Sequence, residues 1–533
     1  MGGARPNASV AAQCRSGGFQ PLGMDGVRSA VGQQRSASLP DPADRRGLDG
    51  NASPAGAMSG PALMPTRRDF LRVSATGIAA AALVPCGVRA ADAPAAPSSA
   101  PLDDAAAIRA GLAAAVAKNL EPSATQKPYP GHFCIVSDGR GFGAENTWPG
   151  LDSWQMAGAY LLLGRTQLVV DYFKFVRAAQ RKDGNIPFAI FSGDEPPSAE
   201  SLRTYLRRLR YPQDVFTYDP HVAPYRSRKW VGLFHHWIAQ ANPLGALGTT
   251  SHILTAAEIF SFTHDVKWLA DNLASLEAAA RFLLTRRSEN GLISGSGFYL
   301  ESPPRREWDG VAQCYVAHAW RKFAALCDAL GNKAMLAAEF RGAADALAQK
   351  FRDTFWRGDH FGEYVHPQRG LVDSHGVSDV NWAAAAFDLA TPAQADALWP
   401  RMMAATSLWH GDMPTLTVSK PFSYEEWEWW ESQEDVGFAH TRGPLYDVAA
   451  MGRVWYLEVQ ACLKRGEKKR VRDSVVKVCR RGLADDGFWF ERYHPLQVAK
   501  TDATGPKGYC EYPAILARTV LGNPQIFPEA AQR

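Results

Sequence analysis

The sequence has no CxxC pair and no Cys/His run at metal-ligand spacing, although it holds eight cysteines. That argues against a structural zinc site or a dithiol redox centre. It has no Gly-rich phosphate loop, no nucleophile elbow and no dinucleotide fingerprint, which sets aside the common NTPases, α/β-hydrolases and nicotinamide enzymes. No apolar run is long enough to span a bilayer. Net charge is scarce where a fold is expected. Residues 1–92 carry ten Arg, six Asp and neither Lys nor Glu, so the formal +4 of the chain resides there and the rest is balanced. A nucleic-acid binder needs a net basic face to displace counterions, so that class is excluded. A convincing series of strands is missing as well.

What is present is 533 residues with 46% apolar and 11% aromatic side chains, including sixteen Trp. That is enough for a large core and for aromatic surfaces beyond it. Residues 1–63 are rich in Gly, Ser, Ala, Pro and Arg without hydrophobic periodicity, and read as a disordered or upstream-start tail. Residues 64–90 hold Thr66-Arg-Arg-Asp-Phe-Leu-Arg72, a weakly apolar run from Ile78 to Val84, and Val88-Arg-Ala90. This resembles a twin-arginine export signal, which implies passage through the twin-arginine machinery, a periplasmic or secreted product starting near Ala91, and no stable membrane anchor. Residues 91–101 are an Ala/Pro/Ser linker, and 102–533 form the main domain.

In that domain the apolar periodicity predicts about a dozen helices, over 103–118, 152–163, 166–182, 246–263, 265–287, 309–330, 333–354, 379–389, 392–406, 443–464, 467–482 and 510–520. Val311, Tyr315, Ala319, Phe323, Leu326 and Leu330 show the spacing in one of them. Short links alternate with long ones at 184–245, 288–308, 355–378, 407–441 and 483–509. Long irregular links are seldom kept without a use. Placed at every second connection, they collect at one end of an all-α (α/α)6 toroid of six helical hairpins, with the active site at that end. Six cysteines follow residue 92, and one or two disulfides are compatible with an oxidising compartment.

Trp148-Pro-Gly-Leu-Asp-Ser-Trp154 opens the first long apolar helix. Asp152 and Ser153 suit an N-cap, and a carboxylate between two indoles also suits a polyol. With the following helix, Gly164 and Asp183-Gly-Asn-Ile-Pro187, this block resembles trehalase-like glucosidases. The resemblance recurs in order at Trp308-Asp309, Leu330-Gly-Asn332, Arg442-Gly-Pro444, Phe490-Glu-Arg-Tyr-His-Pro495 and Gly508-Tyr-Cys-Glu-Tyr-Pro513, covering about residues 140–520. Two departures stand out. Leu151 replaces a Trp, and Gly295-Ser-Gly297 is followed by Phe298-Tyr-Leu-Glu301 rather than by an acid directly.

The resemblance implies a glycoside hydrolase that removes a terminal sugar with two carboxyl groups, one donating a proton and one activating water, and no cofactor or metal. Trp308-Asp309 is similar to the Trp-acid pair of glucoamylases, which makes Asp309 the candidate acid and Glu301 the alternative. Glu491, beside Trp489, Phe490 and Tyr493, is the candidate base. The run Tyr424-Glu-Glu-Trp-Glu-Trp-Trp-Glu-Ser-Gln-Glu-Asp435 resembles a loop of bacterial α-rhamnosidases and offers Glu428 or Glu431 as the alternative base. Trp148, Asp152, Trp154, Trp308, Asp379, Trp382, Trp427, Trp430, His440, Arg442 and Tyr493 are the candidate sugar contacts, with Asp379 serving as an N-cap first. Glu307 reads as a solvated partner of Arg305 or Arg306. His235-His236 lacks metal-ligand partners at suitable spacing. An inverting mechanism expects carboxyl groups about 6.5–9.5 Å apart. The rival readings are a polysaccharide lyase using Tyr493, His494 or His440, and a carbohydrate-binding protein without activity.

Overall fold

Helices such as Thr166–Ala178 and Val266–Thr285 bury one face, whereas Ser153–Leu162 and Leu247–Thr263 are buried nearly all round, and a double ring of helices accommodates both kinds. The computed structural model describes residues 102–125, 130–137, 147–151, 153–193, 216–219, 232–236, 246–295, 305, 307–404, 409–419, 449–495 and 502–530. The expected tail, export signal and linker lie outside them.

The helices in order are α1 (Asp104–Ala114, running on through a π-helical turn, Ala115–Leu120, and a short helix, Glu121–Thr125), α2 (Ser153–Leu162), α3 (Thr166–Ala178), α4 (Leu247–Thr263), α5 (Val266–Thr285), α6 (Gly310–Ala329), α7 (Ala334–Phe355), α8 (Asp379–Ala386), α9 (Pro392–Met403), α10 (Gly452–Arg465), α11 (Lys468–Ala484) and α12 (Glu511–Leu521). The even-numbered helices close a ring, α2 against α4, α4 against α6, α6 against α8, α8 against α10, α10 against α12 and α12 back against α2. The odd-numbered helices pack outside it, α1 lying against α11 and α12. This is the expected toroid. Tight links make the hairpins. At the end of α10, Gly466 takes the left-handed conformation (φ 78°), which a side chain would resist.

All six inner helices meet in an aromatic plug. Trp154 of α2 lies edge-on to Tyr315 of α6 (centroids 6.1 Å apart) and to Tyr456 of α10 (5.1 Å). Tyr315 is in turn edge-on to Phe387, at the end of α8. The Arg518 guanidinium of α12 stands over Trp154 and Tyr456, at 5.5 and 5.2 Å from the ring centroids. It donates to Glu258 of α4 at 2.6 Å and to the carbonyls of Trp154 and Gln155. Arg518→Leu leaves Glu258 without its cation. Glu258 is about a quarter exposed, so the expected loss is about 3 kcal/mol, the low end for breaking a buried pair. Urea unfolding of the purified variant checks this.

One end of the ring carries the long links, and backbone hydrogen bonds tie the starts of successive inner helices together there. Gly310 N–H donates to Glu363, Asp379 N–H to Thr417, Thr417 N–H to Ala449, Ala450 N–H to Tyr493 and Cys510 N–H to Ile135, all at 2.8–3.0 Å. These links also hold strands that periodicity did not reveal, because each is only two to five residues long. Strands β1 (Ala189–Gly193), β2 (Phe216–Asp219) and β3 (Gly232–His236) form an antiparallel sheet in the order β1-β3-β2. Strands β4 (Trp308–Asp309), β5 (Tyr364–His366) and β6 (Gly370–Val372) form a second, with Asp309 opposite Tyr364. The pairs β7 (Trp409–His410) with β8 (Met413–Pro414), and β9 (Arg492–Tyr493) with β10 (Ala503–Thr504), complete the set among the described residues. One helix starts later than its pattern suggested: α10 begins at Gly452, since Ala450 is drawn into bridges with Leu416 and Tyr493.

Cys134, Cys314, Cys327, Cys462, Cys479 and Cys510 are all buried and unbridged, so none of the disulfides that the cysteine count allowed forms among them. Burial pushes the Cys327 thiol up to about 11 and raises Cys314, Cys462 and Cys479 too. A chain starting at Ala91 should show almost no reaction with a thiol reagent when native and six equivalents when denatured. Reductant should leave its melting temperature unchanged.

Candidate active site

At the link-bearing end, the starts of α6 and α8 converge on one guanidinium. Arg305 is buried, as are the three carboxyl groups around it. Its Nε donates to Glu363 Oε1 at 2.7 Å and its Nη1 to Asp309 Oδ1 at 3.3 Å. Its Nη2 lies 2.8 Å from Asp379 Oδ1, a charge contact without hydrogen-bond alignment. Behind Glu363, its Oε2 and His375 Nδ1 are 2.6 Å apart.

Local structure explains the convergence. Asp309 is the N-cap of α6 and accepts from Val311 N–H at 3.0 Å, so its carboxyl is anchored at a helix start. Arg305 precedes it by four residues. Glu363 is carried in by the segment leading to β5, whose ladder with β4 holds Asp309 in register. Asp379 is the first residue of α8, not its cap. Ser378 occupies the cap position, and the Asp379 side chain turns to Arg305 instead. Asn381 fixes this helix by a two-way amide bond with the Phe361 backbone, at 2.7 and 3.1 Å.

The electrostatics divide the three acids. Burial drives Asp309 up, Arg305 opposes it, Asp379 adds to it, and the carboxyl ends at about 7. Asp379 is also raised, by burial first, against the pull of Arg305. Burial would raise Glu363 as well, but Arg305 and His375 outweigh it and hold Glu363 down at about 2. Asp309 Oδ2 accepts no hydrogen bond.

A second charged set lies at the starts of α10 and α12. Glu491 Oε1 sits 2.7 Å from Arg492 Nη1 and 3.4 Å from Arg453 Nη2. Arg453 Nε also meets Glu511 Oε2 at 3.0 Å. Gly505 (φ 86°) presses against this carboxylate so closely that a Cβ there would lie 2.8 Å from Glu491 Oε2. Glu491 is therefore a nearly buried, arginine-held carboxylate and not a surface residue.

Several expected sugar contacts are placed elsewhere. Trp154 belongs to the plug. Trp382 is fully buried against Trp399 and Arg470. Tyr493 is fully buried, its hydroxyl accepting from Phe490 N–H at 3.0 Å, with Arg481 over its ring. These three are core residues, not open stacking surfaces. Ser153 does not cap α2 with its hydroxyl; its Oγ donates to the Trp148 carbonyl. Glu307 accepts from Ser294 Oγ at 2.6 Å, because Arg305 is engaged by three other acids. Trp148 is nearly buried, edge-on to Phe188, and Trp308 is half-buried with its indole N–H on Ser288. Asp152, Glu301, Arg306, Trp427, Glu428, Trp430, Glu431, His440 and Arg442 lie outside the described residues.

Arg305, Glu363, His375, Arg453 and Glu511 were not singled out from sequence. The spacing of Arg305 to Asp309 and the position of Glu511 at a helix start were available signals. Glu363 and His375 had none, because they reach the cluster only through the β4-β5-β6 ladder. Among the described residues, no group of three or more His, Cys, Asp and Glu is arranged to hold a metal ion. No described helix is long and apolar enough to cross a membrane.

No protein-family model matches the sequence, and no curated protein does. Solved structures do match by shape. A glycosidase is similar over 79% of this chain and 99% of its own, with a TM-score of 0.51 and 13% identity. The GH63 mannosylglycerate hydrolase from Thermus thermophilus, in complex with glucose, matches over 76% and 98%, with a TM-score of 0.48 and 12% identity. A GH78 family rhamnosidase of a Bacillus species matches 51% of this chain, with a TM-score of 0.37 and 14% identity, and this chain covers only 26% of it. At such identities the likeness is one of fold, and the chain has the all-α toroid fold that the first of these structures shares.

Proposed function

We propose that the protein is an exported glycoside hydrolase that removes a terminal sugar from an oligosaccharide or glycoconjugate with inversion at the anomeric carbon. Asp309 is the general acid and Glu491 the general base. The observation that carries this reading is the state of Asp309, a buried carboxyl at a helix start with one oxygen unpartnered and a proton held to about pH 7. A general acid has to keep its proton at working pH and then give it to the leaving oxygen. Glu491 has a different setting, its carboxylate lying 2.7 Å from Arg492 and 3.4 Å from Arg453. Asp309 sits at the start of α6, Glu491 sits beside β9 in the link between α11 and α12 against Arg453 at the start of α10, and the fold is shared with a glycosidase.

The lyase reading loses support from its own candidates. Burial raises the Tyr493 hydroxyl, whereas a proton-abstracting Tyr needs the reverse. His494 Nε2 is 2.5 Å from Thr504 Oγ1 and buried. Export rests on the paired Arg67 and Arg68 and the small-residue site before Ala91. Hydrolysis is tested by offering the protein aryl α- and β-glycosides and disaccharides and following sugar release. Release that depends on Asp309 supports the reading, and release of unsaturated uronates in its place overturns it.

A further inference from the structure

The cluster around Arg305 holds more acid than base. Three buried carboxyl groups share one guanidinium, and His375 Nδ1 lies 2.6 Å from Glu363 Oε2. The groups facing Asp309 are Arg305 from its own segment, Glu363 from the approach to β5, Asp379 from α8 and the buried Cys314 thiol from α6. Fully ionised, this set would confine like charges out of reach of water, so one carboxyl has to hold a proton. Glu363 is the wrong one, because Arg305 Nε and His375 engage both its oxygens as a carboxylate. Asp309 keeps one buried oxygen, Oδ2, that accepts no hydrogen bond, and Asp379 meets Arg305 through Oδ1 alone.

An arginine facing one aspartate would hold it ionised. Here Arg305 divides its three arms among three acids. We propose that Asp379 is a positioning residue for the general acid: by taking one arm of Arg305 and facing Asp309 with a like charge, it leaves Asp309 oriented and still protonated. This rests on the glycosidase reading for its consequence but not for its chemistry. Arg305 fixes where the carboxyl points, Glu363 and His375 anchor Arg305 from behind, and Asp379 sets how tightly the proton is kept.

The test is Asp379→Asn, which keeps the shape and removes the charge. In the folded variant, the alkaline limb of the pH profile of kcat/KM should move to lower pH by about one unit, with the acidic limb in place. An alkaline limb that stays put, in a variant with the native melting temperature, overturns the proposal. A second readout needs no substrate. The infrared carboxyl band of the full chain should be lost with a midpoint near pH 7, be absent in Asp309→Asn, and titrate lower in Asp379→Asn. If that band moves as expected while no glycoside is cleaved, the proton-sharing role stands and the glycosidase reading falls. If glycosides are cleaved and neither limb nor band moves, the role of Asp379 falls alone. Should Asp379→Asn fail to fold, Glu363→Gln removes a like charge from the same guanidinium. It should then shift limb and band in the same direction, and no shift overturns the proposal.

Discussion

Asp309→Asn should lower kcat/KM for a disaccharide by about a thousand-fold, the size of a lost general acid. The loss should depend on the leaving group. A sugar alkoxide departs only if protonated, whereas a nitrophenolate departs unaided, so a nitrophenyl glycoside should lose about tenfold or less. A residue that merely shaped the site would slow both alike. The wild-type profile should fall on its alkaline side near pH 7, where Asp309 loses its proton. Stability carries the same sign. The folded value, about 7, lies above the ordinary 3.8, so the contribution of Asp309 is complete below pH 3.8 and is lost as pH rises through 7. Asp309→Asn should therefore lose less stability than the wild type as pH is raised across that window, measured by denaturant unfolding at each pH.

Glu491→Gln should cost a comparable factor, about a thousand-fold, but without relief from a better leaving group, because activation of water is needed whatever departs. It should also abolish the acidic limb of the profile, which reports ionisation of the base. Arg453 and Arg492 lose a charged partner in this variant. Its melting temperature separates a folded, inactive protein from an unfolded one.

Much of the fold was legible because a toroid repeats one demand. Each inner helix needs an apolar face, so Val311, Tyr315, Ala319, Phe323 and Leu326 recur at helical spacing, and all five are buried. The strands were not legible because alternation over two residues carries no signal. Of the candidate site, Asp309 and Glu491 stood out in the sequence because each lies beside aromatic residues, Asp309 at the start of a helix pattern and Glu491 in a long link. The Arg305 cluster could not be assembled, since its members come from segments as far apart as 305 and 379 and nothing local in the sequence couples them. Trp154, Trp382 and Tyr493 show the converse error. An aromatic residue in such a motif reads alike whether its ring faces a sugar or fills the core, and only packing decides.

The reading is tested most directly by proton NMR of the sugar first released from a disaccharide panel, with wild-type protein and Asp309→Asn side by side. The account predicts that the wild type releases the anomer opposite in configuration to the bond cleaved, and that Asp309→Asn releases almost none. Release of the retained anomer, or unimpaired release by Asp309→Asn, would contradict it.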